Sequence, residues 1–205
     1  MATTAALGLW QLDRAAQKQE LQNRVDERAL LPAWSSADVL KMDDPDVGLH
    51  RAVRLSGEWV PGATLFLDNR QMEGRPGFFV ITPLLLHGST QAVLVQRGWV
   101  PRDFQDRSRV PEVSTPEGLV VVEGRLAPPP GKLYQLGEAA TGPIRQNVEL
   151  EALAREWSVP LLALSVVQTG AASDGLRREW PVVTAGVPKH HGYAFQWFGL
   201  CALAG

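Results

Sequence analysis

The sequence predicts an α+β fold that is mainly β: an antiparallel β-barrel-like soluble domain with a few helices, flanked by two transmembrane helices that are truncated here. Three observations carry this reading. Short alternating or apolar runs are punctuated by Gly and Pro through the centre of the chain, which is the pattern of an antiparallel sheet or barrel. The 19 Gly and 15 Pro among 205 residues favour turns and short strands over a helix bundle. Both extremities are uncharged and apolar: M-A-T-T-A-A-L-G-L-W-Q-L at 1–12 and Y-A-F-Q-W-F-G-L-C-A-L-A-G at 193–205.

The elements follow in order. Segment 1–12 lacks the positive start of a secretory signal, so it is read as the remnant of a first membrane helix. From 14 to 31 good helix formers continue it into water, with Leu12, Ala16, Leu21 and Val25 as a loose apolar stripe and Pro32 as the stop. S-S-A-D-V-L at 35–40 is a short capped helix, and D-D-P-D-V-G at 43–48 is a solvated turn. Strands are expected at 50–60, 64–70, 78–84, 91–101 and 119–126. A helix over 149–157 starts from Asn147 as N-cap, and its first-turn acids complement the helix dipole. L-L-A-L-S-V-V-Q-T at 161–169 is a last buried strand, and 170–175 is a turn. The segment after it returns to the second stump. The division is therefore 1–12 as first membrane remnant, 13–189 as soluble domain and 190–205 as the start of a second membrane helix. Spanning a bilayer takes about 20 apolar residues, more than either stump offers. Tyr193, Trp197 and Phe198 suit the membrane–water boundary, where a ring has one wet and one apolar edge.

Composition narrows the function. A net charge of −2 with no basic and aromatic face argues against nucleic acid as partner. The single cysteine, Cys201, leaves no disulfide framework and no thiolate metal site. There is no G-x-S-x-G, no Gly-rich nucleotide loop and no H-E-x-x-H, so the expectation is a protein that is not an enzyme.

Several pieces, in order, resemble the surfeit locus protein one family. They are G-L-W-Q-L-D-R at 8–14 with Lys18, G-E-W at 57–59, L-D-N-R at 67–70 with Gly74 and Gly77, and T-P-L at 82–84. Then come V-Q-R-G-W-V-P at 95–101, E-G-R-L at 123–126, Q-N-V-E-L at 146–150 and H-H-G-Y-A-F-Q-W-F at 190–198. The resemblance implies a membrane-bound assembly factor of haem-copper cytochrome c oxidase, two membrane helices around an external domain, and handling of haem a for the catalytic subunit. Without a transit-type presequence, the location it implies is the bacterial inner membrane with the domain in the periplasm. The mitochondrial inner membrane is the second placing.

The resemblance also points to residues. His190 matches the family histidine ahead of Y-A-x-x-W, and a neutral imidazole is a good axial ligand for haem iron. Its alternative role is a polar residue at the lipid headgroups. His191 stands where relatives are usually apolar and is incidental. Tyr193 and Trp197 are candidates to stack on the porphyrin, or simply interfacial anchors. Arg70 and Arg97 flank turn residues and are candidates for haem propionates or acids of an oxidase subunit, against an internal ion pair such as Arg70 with Asp68. Trp59 and Trp99 are expected to fill the barrel or its rim, and Asn69 and Gly98 to sit at turns or bulges. Two other readings remain open here: a scaffold that docks an oxidase subunit without touching haem, and a soluble ligand-binding barrel with its apolar ends packed inside.

Overall fold

The computed structural model describes residues 2–106, 109–133, 141–171, 174–180 and 187–203. In chain order its elements are α1 (Ala2–Ala29), β1 (Trp34–Ser35), α2 (Ser36–Leu40), α3 (Pro45–Gly48), β2 (Ala52–Trp59), β3 (Leu65–Met72), β4 (Arg75–Leu86) and β5 (Ala92–Pro101). Then follow β6 (Leu119–Ala127), β7 (Ile144–Arg145), α4 (Leu150–Trp157), β8 (Leu161–Gln168) and α5 (Val187–Leu203). Ala172 and Ser173 of the expected turn lie outside the described residues, as do 181–186 of the returning segment and Met1, Ala204 and Gly205 of the two stumps. The chain divides into two compact units, Met1–Arg28 with Pro181–Gly205, and Ala29–Trp180.

In the larger unit five strands close into a barrel in the order β2, β6, β8, β5, β4, with β4 pairing back onto β2. Closure needs close backbone approach at Gly57, where a Cβ would run into the carbonyl oxygen of Leu85. The expected antiparallel pairing holds for four of the five barrel contacts, and β5 with β8 is parallel. The reason is arithmetic: alternating directions cannot return to the start around an odd number of strands, so one neighbouring pair must run the same way. Outside the ring, β3 extends the sheet from β4 and carries the two-residue β7, while β1 adds to β2; both stubs pair in parallel.

The alternation of these strands fills the ring. Leu55, Leu84, Val93, Val95, Val122, Leu126 and Val166 form one cluster to which all five barrel strands contribute, with Trp59 at its edge. Strand β5 is buried on both faces from Ala92 to Val100, the polar Gln96 and Arg97 included. One face meets that cluster, and Leu94 on the other packs with Leu153 of α4 and with Leu65, Leu67 and Ile81. A third cluster joins Phe66, Phe78, Val80, Val100 and Leu176.

Local chemistry sets the ends of the elements. Ser35 and Asp38 cap α2 reciprocally, as S-S-A-D anticipates. The acidic segment expected as a plain turn instead includes α3, because the Asp44 side chain accepts from the Asp46 N–H and Pro45 starts the helix. Asn147 does not cap α4. Glu149 occupies the N-cap position without a side-chain bond, while Asn147 clasps Leu133 by donating to its C=O and accepting from its N–H, at 2.8 and 2.7 Å. Register shifts in β3 between Leu67 and Arg70, and in β4–β5 beside Gly98, put Asn69 and Gly98 at bulges. Asn69 has φ 63°, a left-handed conformation that Asn tolerates well.

Candidate functional site

The smaller unit is a helical pair. The apolar stripe expected on its first helix holds in part: Leu21 and Val25 are half-buried, but Leu12 and Ala16 are exposed, and toward the start of the helix the buried or half-buried line is Thr4, Gly8, Gln11 and Ala15. On α5 the matching line is His190, Ala194, Trp197 and Cys201, at helical spacing of four, three and four. Two cross-contacts show that the helices run antiparallel. A Cβ on Gly8 would sit 2.7 Å from the Phe198 ring, so that position can only be glycine without a shift. His190 Nδ1 lies 2.7 Å from Gln11 Oε1. The outward faces carry Leu9, 62% exposed, with Trp10, Leu12, Tyr193, Phe195, Phe198 and Leu200.

Small and polar inside, apolar outside, is the reverse of a helix pair in water. It is the arrangement in which close backbone packing and interhelical hydrogen bonds hold helices together in an apolar solvent. Arg14 stacks over Trp10 at 5.5 Å where the uncharged stretch of α1 gives way to charge, a placement that suits a solvent boundary. Among the described residues no helix is long and apolar enough to cross a membrane.

The three candidates on α5 are differently placed. His190 is half-buried, and its Nδ1 is engaged by Gln11. Tyr193 is one turn on and 52% exposed, and Trp197 is half-buried two turns from His190. His191 points away, exposed. Among the described residues no three His, Cys, Asp or Glu side chains are grouped to chelate an ion.

The two arginines belong to the barrel unit and have different fates. Arg97 is 1% exposed, the extra residue of the β5 bulge. Its Nη1 donates to Thr115 Oγ1 at 2.9 Å, and its Nη2 donates to the Ser114 carbonyl at 2.6 Å and to Asp174 Oδ2 at 2.9 Å. Its guanidinium also covers the Trp59 ring at 4.8 Å. A guanidinium sealed in this way is not presented to an incoming carboxylate. Arg178 donates to the Arg97 carbonyl at 2.8 Å and approaches the same Asp174 at 3.6 Å. Burial pushes the Arg178 pKa down, Asp174 pulls it up and the neighbouring Arg97 opposes it.

Arg70 is not paired with Asp68, which takes Arg102 at 3.4 Å instead. The Arg70 Nη2 donates to the backbone carbonyls of Gly131 and Gln146 at 2.9 and 3.1 Å. The side chain borders an open pocket of about 520 Å³ with Asn69, Gln71, Phe79, Leu133 and Gln146. Burial lowers its pKa. It is the half-buried cation of the two and the one with a face on a cavity. Trp99, as expected, is core, with its Nε1 donating to the Arg70 carbonyl at 2.9 Å.

A functional residue that composition and spacing missed is Gln11. It is the one amide in an apolar stretch, and across from it stands the histidine that opens α5.

A small closed barrel joined in sequence to an inside-out helical pair defines the class: a β domain with a helical unit suited to an apolar environment. The chain belongs to the SURF1 family, whose sequence model matches residues 1–202. It is similar to the cytochrome oxidase assembly protein SHY1 of Saccharomyces cerevisiae, 25% identical over 159 residues that make up 75% of this chain and 38% of the yeast protein. It is 31% identical over 122 residues to surfeit locus protein 1 of Arabidopsis thaliana, covering 53% of this chain and 33% of that one. Similarity to the SURF1-like protein of Rickettsia bellii is 22% over 204 residues, 96% of this chain and 80% of the relative. The chain thus spans about a third of the length of the two eukaryotic relatives.

Proposed function

We propose that the chain is a membrane-anchored assembly factor for a haem-copper cytochrome c oxidase, not an enzyme, and that its helical pair holds haem a through His190 for the catalytic subunit. The observation that carries this is the 2.7 Å contact between His190 Nδ1 and Gln11 in a pair of helices with apolar outer faces. With Nδ1 engaged, Nε2 is the nitrogen left to ligate, and a single imidazole nitrogen on a helix with apolar outer side chains suits a planar apolar cofactor better than a chelated ion. Haem, when bound, supplies the redox iron and the macrocycle. His190 supplies an axial nitrogen, and Tyr193 and Trp197 supply apolar area beside it. The name of the yeast relative supports oxidase assembly.

The anchoring reading rests on the burial pattern of α1 and α5, and its setting is the bacterial inner membrane and periplasm. Arg70 is the cation suited to a carboxylate of a partner subunit. Titration of the full chain in lipid with haem tests the cofactor: a Soret shift is expected in wild type and its loss in His190→Ala. Identical spectra would leave a scaffold that docks the oxidase without haem, a reading favoured by exposed Leu119 and Val121 on the outer face of β6. A ligand-binding barrel with the ends packed inside is not supported, since the interior is filled by the barrel's own side chains.

A further inference from the structure

We infer that Gln11 is a positioning residue that fixes the tautomer of His190, holding the proton on Nδ1 and the lone pair on Nε2. This rests on the haem reading only for its purpose; the tautomer itself is a property of the chain alone. A glutamine side-chain oxygen has lone pairs and no proton to give. At 2.7 Å from Nδ1 it can be satisfied only if Nδ1 carries the hydrogen. In a neutral imidazole the second nitrogen is then an acceptor, in the state needed to bind a metal or accept a hydrogen bond. The contact joins residues 179 positions apart, one from each helix of the pair, so it also sets the rotation of α5 against α1.

Position 11 is well chosen for such a role. Gln11 follows Gly8 by three residues on the packed face of α1, where the glycine lets α5 come close enough for the Phe198 ring to fit. Its flanks, Trp10 and Leu12, face outward, so neither competes for the imidazole. No ion pair to His190 is present among the described residues, and a neutral amide orients the ring without adding charge. A carboxylate there would do more: by drawing the Nδ1 proton it would give the ring imidazolate character and make Nε2 a stronger donor to iron.

The test uses the full chain in lipid nanodiscs, with Gln11→Met and Gln11→Glu. Met keeps the length and volume of Gln and removes the strong acceptor; Glu keeps the acceptor. The first readout needs no haem: nitrogen-15 correlation spectra of His190 at alkaline pH. Wild type and Gln11→Glu should show the proton on Nδ1, and Gln11→Met should move it wholly or partly to Nε2. The second is affinity for ferric haem. Gln11→Met should bind about tenfold to a hundredfold more weakly, and Gln11→Glu should restore binding with a lower reduction potential. A wild-type proton on Nε2 would overturn the inference, because the amide would then present its NH₂. So would a tautomer that does not change in Gln11→Met, or a changed tautomer with unchanged haem affinity where His190→Ala does lose haem. If instead His190→Ala binds haem as well as wild type while the tautomer results hold, the haem reading fails and the positioning role of Gln11 stands.

Discussion

The barrel and the helical pair solve opposite burial problems with similar residues. In the barrel, Leu55, Val95, Leu126 and Val166 face inward and charged side chains such as Arg54 and Glu123 meet on the outside, 2.8 Å apart. In the pair, Leu9, Phe195 and Leu200 face outward, while Gly8, Ala15 and Ala194 are buried. The barrel completes its own core in water. The pair leaves its apolar area for something else to cover. The difference locates the two forces that organise the chain: hydrophobic burial in one unit, and close backbone packing with the Gln11–His190 hydrogen bond in the other.

The comparison breaks if substitutions in the two units affect the same observable. The largest expected effect is in the barrel. Trp99→Ala removes a fully buried ring and the Nε1 bond to the Arg70 carbonyl. It should cost about 4 kcal/mol and lower the melting temperature by on the order of 10 °C, read by calorimetry of the full chain. Arg97→Ala should come next, at about 3 kcal/mol. It removes three donated bonds and leaves the Trp59 face uncovered, while Asp174 keeps Arg178 within 3.6 Å and so is not stranded. If Arg97 were a docking arm instead, its loss would leave melting unchanged and weaken partner capture.

In the pair the expected effects lie elsewhere. Phe195 is 79% exposed. Phe195→Ser should leave barrel melting within about 0.5 kcal/mol of wild type and weaken partition into phosphatidylglycerol-containing vesicles about tenfold. A barrel that melts earlier in Phe195→Ser, with partition unaffected, would mean that this side chain packs against protein.

The barrel was legible in the sequence wherever alternation and Gly or Pro stops coincide. Strands β2 to β6 and β8 fall within a few residues of where the runs place them. The two-residue strands β1 and β7 carry no period at all, and the parallel β5–β8 pair is a property of closure that no single strand records. In the pair, the aromatic and apolar ends were legible, and the packed face only in part. On α1 apolar periodicity picked out Leu21 and Val25, which are half-buried, but also Leu12 and Ala16, which are exposed. For Arg97 the internal ion pair is the reading that holds: beside Gly98 it reads as a turn residue, but the bulge turns it inward onto Asp174.

The smallest effect tests the barrel surface near α4, where charge pairing is half-exposed and should matter little. Arg145 donates to Glu156 at 2.6 Å, and that hydrogen bond holds the Glu156 carboxyl below its ordinary value of 4.5, with slight desolvation opposing. Because the folded value is depressed, the pair's contribution is complete above the unfolded value and is lost as pH falls through the folded one. Water screens the carboxylate, so Glu156→Gln should cost only about 0.5 kcal/mol at neutral pH. The difference from wild type should shrink toward zero in acid, once both forms are uncharged at this position. A gap that persists below the folded value would mean that Glu156 acts through packing on Arg145, and a gap of several kcal/mol at neutral pH would mean that the pair is shielded from water far better than its exposure indicates.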